Sequence, residues 1–296
     1  MTGLPRLRRL EMADCIAALA EGFDDALEMP TYPAFVGLFY ALGGVILVSI
    51  SSFVDALQLV FPLAAGFALV GPFVAVGLYE MSRRRERGSE PDWRDAFSVA
   101  RSPALPSILA LGLLLFVVFA AWIGAAQLLY FHLYGPNPPS AAAPFLRDVL
   151  ATGRGWLLIL DGGSIGFCFA ALALCLSVIS FPLMLDRDVG LFPAIAASLR
   201  LSRERPAAVA LWGLIVAAGL VFGALTLFVG LAVVMPVLGH ATWRLYRRAV
   251  ERAAQIELPV EQGRAGARPR QNLGPLNKTI RNAGDQRTDN LRGRFR

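Results

Sequence analysis

The stretch FPLAAGFALVGPFVAVGLYEMSRRRE, residues 61–86, opens as an apolar run. It carries Pro62 and Pro72, reaches Glu80, and ends in Arg83, Arg84 and Arg85, with Arg87 just beyond. A helix leaving a bilayer on its basic, cytoplasmic side has this pattern. Composition agrees. Only 17% of the 296 residues are charged and 56% are hydrophobic, against roughly 25% charged in an ordinary soluble domain. The net charge of +6 would suggest nucleic acid in a soluble protein. Here the arginines flank apolar spans, so anionic lipid headgroups are the expected partner and no specific nucleic acid is.

Working outward, the first ten residues hold Arg6, Arg8 and Arg9, but Glu11, Asp14, Glu21, Asp24 and Asp25 follow where a signal peptide needs an apolar core. Met12, Ile16, Leu19, Phe23 and Leu27 recur at helical steps and predict one apolar face of an amphipathic helix, closed by Pro30 and Pro33. Residues 1–33 thus form a cytoplasmic N-terminal segment packed on the ends of the bundle. Transmembrane spans are expected at about 34–53, 59–81, 107–131, 162–185, 207–221 and 225–245. Residues 135–155 read as an irregular loop, and Asp161-Gly-Gly-Ser as the entry to the fourth span. The 37 residues 207–243 contain no Asp, Glu, Lys or Arg. One helix of that length would be about 55 Å long, against a hydrocarbon core of about 30 Å. Two spans joined near Phe222–Leu225 are therefore expected. Further amphipathic pieces precede the third and fifth spans. One puts Trp93, Phe97 and Ala100 on one side; the other sets Phe192, Ile195, Ala196 and Leu199 opposite Arg200 and Arg203.

Of the 28 basic residues, 26 fall in segments assigned to one side of the membrane; Arg147 and Arg154 alone fall on the other. The positive-inside rule places both termini in the cytoplasm of a bacterial inner membrane, as a multi-pass protein. The fold expected is all-α, polytopic, with six transmembrane helices as three hairpins, each preceded by a short amphipathic cytoplasmic helix. The transmembrane domain spans 34–248. Residues 249–296 form a cytoplasmic tail, polar and disordered from about 262.

A repeat underlies the hairpin reading. Setting residues 67–84 over 231–248 pairs Pro72 with Pro236, Tyr79 with Trp243, and Arg83-Arg84 with Arg247-Arg248, at a constant offset of 164. Pro182 holds a similar place in the fourth span. Prolines 72, 182 and 236 are expected to kink their helices.

GFDDALEMP (22–30), residues 61–88 and FPLML (181–185) resemble an uncharacterised family of bacterial predicted integral membrane proteins, classed as a domain of unknown function. The resemblance covers roughly residues 10–250. It implies a membrane location and a helical bundle, and no substrate or catalytic residue.

Ionisable groups at depth mark candidate sites, because a bilayer penalises them. Glu80 aligns in the repeat with Arg244, and an interhelical pair between them is one expectation. Local pairing of Glu80 with Arg83 or Arg84 is the other. His240, one turn before Arg244, is either a proton relay or a core histidine bonded to a backbone carbonyl. Arg83, Arg84, Arg85, Arg247 and Arg248 are candidate basic anchors to the cytoplasmic headgroups. Three scattered cysteines and two histidines offer no metal or disulfide pattern, and no cofactor is expected. Phosphate-loop, metalloprotease and Ser/His/Asp patterns are absent from the sequence, so no enzyme is expected. Two functions remain. One is a structural or assembly component that binds a membrane-protein partner or a second copy of itself. The alternative is a transporter or channel for a lipid or small, largely apolar solute.

Overall fold

The structure, a computed structural model, describes residues 6–29, 37, 41–45, 75–135, 142–226 and 229–250. It is all-helical there. The elements are α1 (Met12–Glu28), the helical residues 41–45 (α2) and 75–86 (α3), a 3₁₀ helix (Trp93–Arg101), α4 (Leu105–Tyr134), α5 (Ala142–Ala151), α6 (Gly153–Ser177), α7 (Ser180–Arg187), α8 (Leu191–Glu204), α9 (Pro206–Leu225) and α10 (Leu231–Ala249). An isolated antiparallel bridge ties Leu7 to Val250.

Three stretches among the described residues are long and apolar enough to cross a membrane: Leu105–Tyr134, Gly153–Arg187 and Pro206–Gly223. They cover the expected third, fourth and fifth spans, each extended by a few residues. The expected first and second spans, with Pro72, lie mostly outside the described residues. The expected sixth, as α10, carries Arg244, Arg247 and Arg248 and is not among the three. Three spans are thus found among the described residues, and the expected arrangement of six in hairpins extends beyond them. The disordered tail and the register of Pro72 on Pro236 likewise fall outside the described residues.

The long apolar run divides as expected, but a few residues later. α9 continues through Leu225, and Thr226 makes the break. Its hydroxyl donates to the carbonyls of Phe222 and Gly223, each at 3.0 Å, and accepts the Gly230 amide at 2.9 Å. A side chain that bonds the backbone this way competes with helix continuation. Gly219 packs on Val234 and Leu238, and Gly223 on Leu231, so α9 and α10 run antiparallel.

The loop expected at 135–155 holds a helix, α5. Asp161 is not a helix entry; it lies inside α6, exposed. The entry is Thr152, whose hydroxyl accepts the Gly155 amide at 3.1 Å, satisfying one of the free donors of the first turn. Ser164 then returns its hydroxyl to the Leu160 carbonyl at 2.7 Å, so the DGGS run keeps to the helix. The helix does break at Val178–Ile179, before Pro182. Pro236 lies within α10.

The amphipathic pieces form where expected, but each buries a different face. α1 buries Cys15, Ala18, Gly22 and Asp25, and leaves Met12, Ile16, Phe23 and Leu27 exposed. The 3₁₀ helix buries Ala96 and Val99 with Phe97 outside, since three residues per turn put i and i+3 on one side. α8 buries Ala194, Ala197, Ser198 and Leu201, with Phe192 81% exposed. Small residues make most of each buried face, joined by Val99 in the 3₁₀ helix and Leu201 in α8, while large apolar residues stand out. Helices packed in lipid behave so, because acyl chains are as apolar as leucine and close backbone approach decides the contact.

The core lies where α1, α7, α8, α9 and α10 meet. Trp212, Trp243, Tyr246, Leu183, Met184, Leu201 and Leu245 are buried there.

Candidate functional site

The polar residues that the fold brings together sit at the Arg-rich ends of α3 and α10. α1 is laid antiparallel along α10, with Leu7 bridged to Val250, the Arg8 amide donating to the Ala249 carbonyl at 2.8 Å, and Gly22 against Ala241. A methyl at Gly22 would overlap the Ala241 backbone. That contact sets the spacing of the two helices and carries four carboxylates of α1 to arginines of α10 and α3.

Asp25 is the centre. It is 3% exposed. Arg244 grips it with both arms of the guanidinium, Nε to Oδ2 and Nη2 to Oδ1, each at 2.7 Å. Arg85 of α3 adds a third bond to Oδ1 at 2.9 Å. Arg85 also pairs with Glu28, and Arg248 with Asp14 at 3.2 Å and Glu21 at 2.5 Å. Two-pronged arginine–carboxylate pairs are strong and directional, so they fix the register of α1 as well as neutralise it.

Glu80 and Arg244 have separate partners. Glu80, 3% exposed, takes Arg83 at 2.5 Å and Arg84 at 2.8 Å, one turn further along its own helix. Arg84 goes on to Asp95 at 2.6 Å and the Ser98 hydroxyl at 3.0 Å, tying the 3₁₀ helix to α3. Arg83 reaches the Leu185 carbonyl at the end of α7 at 2.8 Å. On α10, Arg247 pairs with Glu86 at 3.0 Å and Asp186 at 3.1 Å. Tyr246 donates to Asp186 at 2.7 Å. Burial, with the Asp186 charge beside it, pushes the Tyr246 phenol above its ordinary range.

His240 is fully buried. Its Nδ1 shares a 2.7 Å hydrogen bond with the Ser82 hydroxyl of α3, a partner in place of the expected backbone carbonyl. Nε2 is buried with no hydrogen-bond partner among the described residues. Gly239, beside it, lets Leu78 close on α10. No group of three potential metal ligands occurs among the described residues.

All five arginines expected as lipid anchors are thus engaged with acceptors inside the protein. Asp25 was missed in the sequence because it sat on what looked like a solvated acidic face. The available signal was the alternation of Asp14, Glu21, Asp25 and Glu28 at helical spacing, matching the spacing of Arg244 and Arg248. On the opposite flank, Arg154 holds Asp148 at 2.7 and 3.0 Å and lies over the Tyr134 ring at 4.9 Å.

Residues 60–186 match the model of a family described as predicted integral membrane protein (DUF2189). That match, with three helices apolar enough to span, marks this as a predicted integral membrane protein of unknown function. No curated protein matches the chain, and no solved structure does.

Proposed function

We propose that the protein is a structural or assembly component of the bacterial inner membrane, non-catalytic, with both termini in the cytoplasm. The observation that carries this reading is the ion-pair belt. Asp14, Glu21, Asp25, Glu28, Glu80, Glu86, Asp95 and Asp186 are matched to Arg83, Arg84, Arg85, Arg244, Arg247 and Arg248 across five elements, α1, α3, the 3₁₀ helix, α7 and α10. Charges arranged to satisfy each other fasten helices; a transport path needs polar groups held open to a solute. The positive-inside distribution of arginine supports the orientation.

Two measurements test it. Green-fluorescent and alkaline-phosphatase fusions at each terminus should give fluorescence and no phosphatase activity; active phosphatase at either end overturns the orientation. A deletion strain, profiled for lipids and metabolites beside crosslinking of the tagged protein in its membrane, tests the role. A reproducible protein crosslink with unchanged solute pools supports assembly. A single lipid or apolar metabolite accumulating on one side, restored by the gene, would establish the carrier alternative instead.

A further inference from the structure

α1 is amphipathic in the opposite sense to a helix lying on a soluble core. Four of its five carboxylates pair with arginines of α3 and α10, Asp24 staying exposed, and its large apolar side chains point out. Met12, Ile16, Phe23 and Leu27 are 58%, 55%, 47% and 62% exposed. At about 100° per residue they fall within about 60° of one another, in a stripe about 22 Å long.

We propose that this stripe is seated in the acyl region of the bilayer, with Arg6, Arg8 and Arg9 held at its edge by anionic lipid headgroups. The depth of α1 comes from its neighbours. The Cys15 thiol donates to the Ala208 carbonyl at 3.4 Å, near the start of the span-forming helix α9. From there α1 runs antiparallel to α10, from Arg248 opposite Asp14 to Ala241 against Gly22. Those seven residues of α10 cover about 10 Å. α9 covers a similar rise from Ala208 to Leu214, which is 66% exposed on an apolar span. Phe23 and Leu27 therefore stand at the level of exposed apolar side chains of a span-forming helix.

Charge completes the case. Asp14, Glu21, Asp25 and Glu28 are neutralised by Arg248, Arg244 and Arg85, so of the five acidic residues of α1 Asp24 alone is left to repel an anionic surface. Arg6, Arg8 and Arg9 are exposed and take no part in those pairs. They are pinned beside the end of α10 by the Leu7–Val250 bridge. Basic residues at the rim of an apolar stripe are the arrangement that anionic membranes attract. The 3₁₀ helix and α8 follow the same rule, with Phe97 62% and Phe192 81% exposed. The inference does not depend on the assembly role proposed above.

The test uses the full chain with Cys15→Ala, Cys168→Ser and Cys175→Ser, reconstituted in phosphatidylcholine vesicles with and without phosphatidylglycerol. Ile16→Cys, Phe23→Cys and, on the exposed flank that carries Asp24, Ala13→Cys each carry a nitroxide. All three sites border open surface, so the melting midpoint should stay at the parent value; Leu27→Cys replaces any variant that departs from it. Labels at 16 and 23 should collide more with oxygen than with a water-soluble nickel chelate, and the label at 13 the reverse. Nickel access at 23 equal to that at 13 overturns the proposal. Shielding from both reagents, or spin–spin broadening between copies, also overturns it, by showing a protein on the stripe. Phosphatidylglycerol should lower nickel access at 16 several-fold, and Arg6, Arg8 and Arg9→Gln together should abolish that response. An unchanged response overturns the headgroup assignment.

Discussion

Asp25 accepts three hydrogen bonds from two arginines on different helices while almost fully buried. Replacing it with Asn removes the charge that balances Arg244 and Arg85. Breaking a buried pair costs about 3–5 kcal/mol. The arginine side chains here are about 30% exposed, so the lower end, about 3 kcal/mol, is expected. In a chain of this size that is a fall of about 6–12 °C in the melting midpoint in detergent. Asp24→Asn, exposed next door, should change it by less than about 0.5 kcal/mol. Equal shifts for the two variants would refute the central place of Asp25. Tyr246 contributes to the pH dependence of stability. Its folded-state pKa lies above the ordinary value of about 10, so the neutral phenol is favoured by folding. The stability it contributes is complete below about pH 10 and is lost as pH climbs beyond it, where the unfolded phenol ionises first. Tyr246→Phe should flatten that alkaline decline and remove about 1.5 kcal/mol at neutral pH, the bond to a charged acceptor. Unfolding followed from pH 7 to 11 reads both.

At the scale of the element, α1 depends on close approach. Gly22 leaves no room for a methyl against the Ala241 backbone, so Gly22→Leu must push α1 from α10 and lengthen the ion pairs that flank it. Limited proteolysis should then cut within residues 6–29 at least tenfold faster than in the parent, by the local opening that lost contacts allow. Unchanged protection would mean the helices are held by charge alone. The amphipathic pieces and the apolar spans were legible in periodicity and run length; α5, inside an expected loop, and the break at Val178–Ile179 were not. Their buried faces were not. A sequence reader assigns large apolar residues to the interior, as water requires. In α1, the 3₁₀ helix and α8 the interior belongs mostly to Cys15, Ala18, Gly22, Ala96, Ala194 and Ala197, with Val99 and Leu201 the larger exceptions. The two arginines matched by the 164-residue offset, Arg83 and Arg247, both reach the end of α7, at Leu185 and Asp186. Equivalent positions of the sequence comparison thus serve the same joint.

For the whole molecule, α1 acts as a clasp on the ends of α3 and α10. A chain beginning after Glu28 would leave Arg85, Arg244 and Arg248 without Asp14, Glu21, Asp25 and Glu28. Its melting midpoint should fall further than that of Asp25→Asn, and a synthetic peptide of residues 1–29 should restore part of the loss. No added loss over Asp25→Asn would show that the remaining pairs are immaterial.

The sequence by itself determined that the chain is helical and built for a membrane. Apolar run length and arginine placement act locally and need no knowledge of neighbours. It also placed Glu80, His240 and Arg244 among the residues that matter, because charge and imidazole at depth are costly wherever they fall. Tertiary structure alone decided their partners. Glu80 had both a local arginine and a distant one available by spacing, and the distant one, Arg244, is held by Asp25 of α1, a carboxylate as deeply buried as Glu80. Which carboxylate an arginine meets depends on how near two backbones come, and that distance was set by a glycine and an alanine more than two hundred residues apart in the chain.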